Sequence, residues 1–302
     1  MDLEAWVDST VDATTRAPTM PATDGDTLEQ AVAILSDAAV GFAGRVKGLA
    51  GATLPVTLTT GLIEALHRCE GQAVASAGAA EREPDWPQLR GAALDSYVAH
   101  VLFEGPVADP VEDLVSMWEA SGRDDRVGVL TTMLEDPVEA PHRCSELDLL
   151  ARSALDFSAV ASLSPRVEVK MGTTVAGSVA LRGRVDVMLG GGPGLAPTLI
   201  EVKSGNPRAE HASQLRHYAL LGALRHGAPP AAAAIWYPGG DGPCMVSDVS
   251  MYEAVPSSAR RVAGALSTLA ELWEGRAPAL TPGSHCSWCP EADHCEAAGA
   301  SL

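Results

Sequence analysis

The sequence predicts an α/β protein: a run of helices, then a short mixed sheet with helices against it. Three observations predict this. Up to about residue 160 the apolar residues recur at helical spacing. From 165 to 205 they fall in β-branched segments punctuated by glycine. After that come one more helical run, a buried apolar run and a last helix.

Each element has its own signal. Residues 1–26 are polar, carry Pro and Asp, and are expected to be loose at the front. "TLEQAVAILSDAAVGFAGRVKGLAG" (27–51) has helical spacing and a glycine stop. "LTTGLIEALHRCEGQAVASAG" (58–78) offers Thr59 or Thr60 as N-cap, then Leu62, Ile63, Leu66 and Cys69 at helical intervals. Helices are also expected at 89–105, 111–121 and 142–157. The strands are "PRVEVKMG" (165–172), "SVALRGRVDVMLGGG" (178–192) and "PTLIEVKSG" (197–205), the last two joined by a "GGGPG" turn. A helix at 211–227 closes on Gly227, a buried strand follows at 231–240, and a helix fills 257–275. The tail at 281–295 has no core periodicity. This divides the chain into an N-terminal helical extension (1–57), a main domain (58–275) and a cysteine tail (276–302). In the main domain the helical part is 58–160 and the sheet core 161–240.

Composition limits the function classes. Hydrophobic residues make up 46% and charged residues 20%, which suits a folded domain rather than a disordered chain. No apolar run reaches the roughly 20 residues of a membrane span, and the N-terminus lacks a basic, apolar signal segment. The expected location is cytoplasmic, with no membrane partner. The net charge of −18 argues against coating nucleic acid by bulk charge. Around 181–226, however, Arg182, Arg184, Lys203, Arg208, Arg216 and Arg225 outnumber Asp186, Glu201 and Glu210, so the field is locally inverted.

The chemistry centres on "LIEVKSG" (199–205). Strand side chains alternate, so Glu201 and Lys203 share a face while Ile200 and Val202 take the other. Asp186 lies on the preceding strand, and pairing of the two strands can bring it beside Glu201. Two carboxylates suit a hard Mg²⁺ or Mn²⁺ ion, with water and a phosphate completing the shell. Lys203 can orient or deprotonate a water there and offset charge on the phosphate. Asp…Glu-x-Lys is thus a phosphodiester-cutting arrangement, though a structural ion pair fits the same residues. "VEVKMG" (167–172) repeats the Glu-x-Lys pattern one strand earlier. On the following helix Gln214 and Tyr218 stand at i,i+4 on one face.

Six cysteines without a signal peptide read as metal ligands or spare thiols rather than a disulfide framework. Cys286, Cys289 and Cys295 form C-x₂-C-x₅-C on the irregular tail. Three thiolates and a fourth ligand can hold a [4Fe–4S] cluster or tetrahedral zinc. His285 and His294 flank them and could replace one cysteine in a zinc site. Cys244 reads as a plain thiol.

"EVKSGNPRAEHASQLRHYALL" resembles the core of the RecB-like branch of the PD-(D/E)XK nucleases, whose Q-x-x-x-Y motif follows the E-x-K strand. The resemblance covers about residues 58–295 and implies a restriction-endonuclease-like core. It also implies that "RGAALD" (90–95) is the family's first helical motif, with Gly91 allowing close approach and Asp95 as a third metal ligand. Many relatives have His there, and His100 is the fallback. Glu168 falls where the family often has an acidic residue. In the iron–sulfur branch, which includes AddB and the CRISPR-associated adaptation nucleases, one cysteine precedes the nuclease core and three follow it. That pattern makes Cys69 the fourth ligand, with Cys144 as competitor, and Trp288 and Pro290 are expected to pack over the cluster.

The implied activity is Mg²⁺- or Mn²⁺-dependent hydrolysis of phosphodiesters in single-stranded DNA or at DNA ends. Asp95, Asp186 and Glu201 would hold the metal, Lys203 would activate water, and Gln214 and Tyr218 would position strand or water. DNA repair, recombination or CRISPR defence is the implied setting, with a helicase or adaptation complex as possible partner. A second expectation is a non-catalytic, cluster- or zinc-stabilised partner within such a complex. The intact Asp/Glu/Lys set speaks for catalysis, and the acidic composition for a partner.

Overall fold

The computed structural model describes residues 3, 5–6, 23–80, 82–190, 196–238, 244–246 and 251–298, with backbone alone at 23–25, 244–246 and 251–252. Most of the expected loose front, residues 191–194 of the "GGGPG" turn, Gly239, Gly240 and the Cys244 side chain lie outside the described residues. The elements run α1 (Thr23–Val46), β1 (Val56–Thr59), α2 (Thr60–Arg68), α3 (Glu70–Gly78), α4 (Trp86–Phe103), α5 (Pro110–Ala120), α6 (Asp124–Leu134) and α7 (Ala140–Ala154). Then come β2 (Arg166–Val175), β3 (Val179–Gly190), β4 (Pro197–Val202), α8 (Ala209–His226), β5 (Ala232–Tyr237), β6 (Cys244–Val246) and α9 (Met251–Trp273). Two short 3₁₀ turns, Ser284–Trp288 and Ala292–His294, carry the cysteine tail. The fold class is as expected: a mixed sheet with helices on its faces.

Within the sheet, β2 lies antiparallel to β3 along one edge, from Arg166↔Met188 to Val175↔Val179. The other edge of β3 is shared. Strand β1 runs parallel to its first part, Val56↔Val179 to Thr59↔Arg182. Strand β4 pairs antiparallel with its last part, Val187↔Ile200 to Gly190↔Pro197. Residues 183–186 of β3 are therefore flanked by neither β1 nor β4. The sheet continues with β5 parallel to β4, reached through α8, and β6 antiparallel to β5.

Two apolar layers cover the sheet. On one face α8 and α9, with α1 and α2, bury Leu35, Phe42, Ile63, Leu199, Leu220 and Val262. On the other, α4 to α7 bury Leu94, Tyr97, Trp118, Phe157, Val187 and Trp236, with Leu3 and Trp6 joining them. The Phe157 and Trp236 rings meet edge-on at 5.0 Å. Burial at roughly 25 cal/mol per Å² of apolar surface makes these layers the main source of stability.

Local chemistry sets the helix ends. Helix α4 opens with a capping box: Gln88 N donates to Asp85 Oδ1 at 3.0 Å, and Asp85 N donates to Gln88 Oε1 at 3.1 Å. Helix α8 ends at Gly227 with φ 74°, the left-handed cap that suits glycine. Thr59 caps α2 by accepting from Leu62 N at 3.2 Å, the first of its two expected capping residues.

The single helix expected over 58–78 is instead a strand and two helices. Residues 56–59 are too short to show alternation, and Cys69 is extended (φ −157°), which breaks α2 from α3. Helix α6 was missed because its buried face is weakly marked: of Val127, Val129, Leu130, Met133 and Leu134 only Leu130 is buried. Helix α9 begins before the expected 257, with Pro256 inside it.

Gly183 sets how closely α8 lies on β3. A Cβ there would come within 2.7 Å of Leu221 Cδ1 and 3.0 Å of Tyr218 Cε1. Gly183→Ala should destabilise the protein by about 1–3 kcal/mol, the usual range for overpacking. A urea or thermal melt checks it; an unchanged midpoint would contradict this packing.

Candidate active site

The break between β1 and β4 opens into a cavity of about 610 Å³. It takes side chains from four places: Asp186 on β3, Glu201 and Lys203 at the end of β4, Gln214 and Tyr218 on α8, and Asp95 on α4. Thr59, Thr60 and Gly61, at the β1–α2 junction, also line it. The sequence-predicted carboxylates, lysine, glutamine and tyrosine are thus brought to one place.

Glu201 is buried, at 2% exposure. Its Oε1 accepts from Lys203 Nζ at 2.6 Å and from Gln214 Nε2 at 2.8 Å. Gln214 also donates to the Tyr218 hydroxyl at 2.8 Å, so the two members of the i,i+4 pair act on the site together. Glu201 Oε2 completes no hydrogen bond although it is fully buried. Such an atom is costly to leave unpartnered in a folded interior. Asp186 Oδ2 accepts from Val202 N at 2.8 Å, where the side chain takes a place that a ladder bond holds elsewhere.

The electrostatics follow from crowding acids in a cleft. Burial raises the pKa of Glu201 well above the ordinary carboxylate value, and the adjacent Asp186 adds to the effect. Burial likewise raises Asp186. Asp95 is pushed up to about 8, first by burial and then by Asp186. All three are pushed toward holding protons, which a divalent cation would displace.

Two arginines complete the surroundings. Arg184 Nη2 stands 4.0 Å from Asp95 Oδ2, and its Nη1 stands 3.1 Å from Glu168 Oε1. Arg123 lies 3.3 Å from the same Glu168 oxygen. The β2–β3 register sets Glu168, at φ 49°, opposite Asp186. Glu168 is thereby engaged by arginines and does not line the cavity around Glu201. Arg184 was missed as a site residue; its signal was its place two residues before Asp186 on the same strand. His100 lines a smaller cavity of about 250 Å³, shared with Asp95 and Glu168. Gly91 faces Ser204, but a Cβ there would lie 3.6 Å from Ser204 Oγ, an ordinary contact, so the expected need for glycine at this position is not seen.

A second cavity, of about 730 Å³, is lined by Cys69, Cys286, Cys289 and Cys295, together with His285, His294 and Pro290. Cys144 is exposed on α7 and does not line it. Trp288, expected over the cysteines, instead lies under Arg208, whose guanidinium carbon is 5.6 Å from the ring. The tail is also held by polar contacts: Arg276 pairs with Glu70 at 2.8 Å, and Ala279 O accepts from Gly71 N at 3.2 Å. Among the described residues, no three His, Cys, Asp or Glu side chains stand close enough together to form a ready-made metal site. The same residues contain no helix long and apolar enough to cross a membrane.

The family model of the PD-(D/E)XK nuclease superfamily matches residues 62–296. Among solved structures, a provisionally assigned exonuclease from Eubacterium rectale superposes with a TM-score of 0.53. The match covers 82% of this chain and 88% of that one at 11% identity, a likeness of fold. The protein SSO0001 aligns over 71% of this chain and 95% of its own at 18% identity, with a TM-score of 0.33. No curated protein matches the sequence.

The raised carboxyl pKa values predict a pH dependence. A carboxyl whose folded pKa exceeds its unfolded value keeps a proton that the unfolded chain has lost. Stability from it is therefore full below about 3.8 and falls as pH rises toward about 8 for Asp95. Without metal, the melting temperature of Asp95→Asn should fall less than that of the parent between pH 5 and 8. Mn²⁺ should raise the parent's melting temperature more at pH 8 than at pH 5. Parallel pH profiles for the two proteins would contradict the assignment.

Proposed function

The chain belongs to the PD-(D/E)XK nuclease superfamily, and from that premise we propose that it hydrolyses phosphodiesters in single-stranded DNA or at DNA ends, using Mg²⁺ or Mn²⁺. The observation that carries this reading is Glu201, buried with an unpartnered Oε2 beside Asp186 and within 2.6 Å of Lys203. The donor set fits a hard cation: three carboxylates with raised pKa values, and no soft ligand among them. Asp95, Asp186 and Glu201 would hold it, and the bound cation would supply the positive charge that polarises the scissile phosphate.

The chain's own groups do the rest. Lys203 Nζ orients the attacking water, moves its proton and offsets charge on the phosphate. Gln214 holds Glu201 Oε1 and ties it to the Tyr218 hydroxyl. Arg184 offsets the charge of Asp95 and Glu168. The cysteine-lined cavity supports a further part of the proposal: Cys69, Cys286, Cys289 and Cys295 hold a [4Fe–4S] cluster. That cluster would join α2 and α3 to the tail, whose own apolar surface is small. Such an enzyme would serve DNA repair, recombination or CRISPR defence, with a helicase or adaptation complex as partner.

Lys203→Ala should lower cleavage of end-labelled single-stranded DNA in Mn²⁺ by about 10²–10⁴-fold while leaving the fold and metal binding in place. Cleavage retained in that variant would overturn the role given to Lys203. Protein purified without oxygen should contain iron and acid-labile sulfide in equal amounts, both lost in Cys286→Ala. Zinc without iron would assign the cysteines to a zinc site instead.

A further inference from the structure

Trp288 is a large aromatic side chain that the cleavage chemistry does not use. Among the described residues, it and Phe103 are the two aromatic side chains left exposed, and Trp288 keeps 42% of its surface open. It sits on the cysteine tail, one residue before Cys289, yet lines neither the cysteine cavity nor the acidic one. A lone exposed ring would need no explanation. This one is joined to a cation: the Arg208 guanidinium carbon lies 5.6 Å from the ring centre.

The charge of Arg208 is not cancelled. The residue is exposed, and its side chain makes no capping hydrogen bond to α8. Among the described residues it forms no ion pair; Glu210, two residues on, stands 3.8 Å from Arg68 instead. In a chain of net charge −18, a free guanidinium on an open indole attracts an anion that also carries a flat ring. The pair is also close to the acidic cavity. Arg208 follows Lys203 by five residues, so the two stand at most roughly 18 Å apart. Gly205, Asn206 and Pro207 between them are exposed, which leaves that stretch of surface open. His211, at the start of α8, is within electrostatic reach of both: burial, then Lys203 and more weakly Arg208, against Glu210, bring its pKa to about 4. Its Nδ1 lies 2.7 Å from the Tyr237 hydroxyl on β5, a contact that fixes this end of α8 against the sheet.

We infer that Trp288 and Arg208 form a stacking platform, outside the acidic cavity, for one base of the bound single strand. The base lies on the open part of the indole, and the guanidinium takes the phosphate beside it. The inference rests on the nuclease reading and deepens it, because it names where the strand runs once it leaves the carboxylates. A stacking ring reads no sequence, since every base has a π-face. The platform therefore accepts any single strand and disfavours a duplex, whose bases already stack on one another.

The test is binding in Mn²⁺ of two labelled strands to full-length protein carrying Lys203→Ala, which holds them uncut. One is an oligothymidylate of about twelve nucleotides, and the other is an abasic sugar-phosphate strand of the same length. Adding Trp288→Leu, which keeps apolar bulk and removes the ring, should weaken the thymidylate about tenfold and leave the abasic strand unchanged. Trp288→Phe should keep most of the affinity. Arg208→Gln should weaken both strands and lower the slope of log affinity against log salt by about 0.7, the value of one phosphate contact on a single strand. Phe103→Ala, which removes the other exposed ring, should change neither affinity. A Trp288→Leu protein that loses affinity for both strands alike has lost a structural contact, and that result overturns the platform. If Trp288→Leu does not fold, Arg208→Gln decides, and an unchanged salt slope overturns the proposal. Unchanged thymidylate binding in Trp288→Leu overturns it too and leaves the nuclease reading intact. A parent that binds Mn²⁺ but neither strand overturns both.

Discussion

The arrangement of the site depends on one constraint in the sheet. Two strands, β1 and β4, share a single edge of β3 and do not meet. Residues 183–186 face the gap between them, and everything at the site is placed by that gap. Asp186 sits at its margin, Glu201 enters from the end of β4, and α2 starts where β1 stops. Glycine at 183 lets α8 approach closely enough for Gln214 and Tyr218 to reach the same opening. A fully paired sheet would spend these backbone positions on hydrogen bonds and leave no cavity.

The cost of the gap appears as electrostatic strain. Three carboxylates are gathered where water is scarce, and each is pushed toward its protonated form. Lys203 and Arg184 offset part of that charge from opposite sides, one through Glu201 and the other through Asp95 and Glu168. Carboxyl groups perturbed in this way inside a cleft mark a candidate functional site, and the proposed cation would offset their charge. The cysteine-lined cavity lies at the other end of α2, since Cys69 terminates the helix that Thr59 caps. One helix of nine residues thus spans from the acidic cavity to the cysteines.

Much of this was legible in the sequence. The alternation of Glu201 and Lys203 against Ile200 and Val202, and the i,i+4 spacing of Gln214 and Tyr218, fix which side chains can meet. The structure brings them within hydrogen-bonding reach. The cysteines were legible by spacing on the tail and by resemblance at Cys69, and all four face one cavity. Strand β1 was not legible, because its four residues look like the start of the next helix. With β1 unseen, the gap could not be foreseen, nor the place of Thr60 and Gly61 beside the acids. Arg184 was counted among the local basic residues, but its contact with Asp95 depends on how α4 crosses the sheet, which no periodicity encodes.

The central claim is that the gap in the sheet is a cation site built on Glu201. The direct measurement is Mn²⁺ binding by electron paramagnetic resonance, with the parent beside Glu201→Gln, which keeps the side chain's shape and removes its charge. The account predicts a Mn²⁺ site in the parent that weakens by at least about tenfold in the variant at an unchanged far-ultraviolet circular dichroism spectrum. Equal Mn²⁺ binding by the two proteins would contradict it.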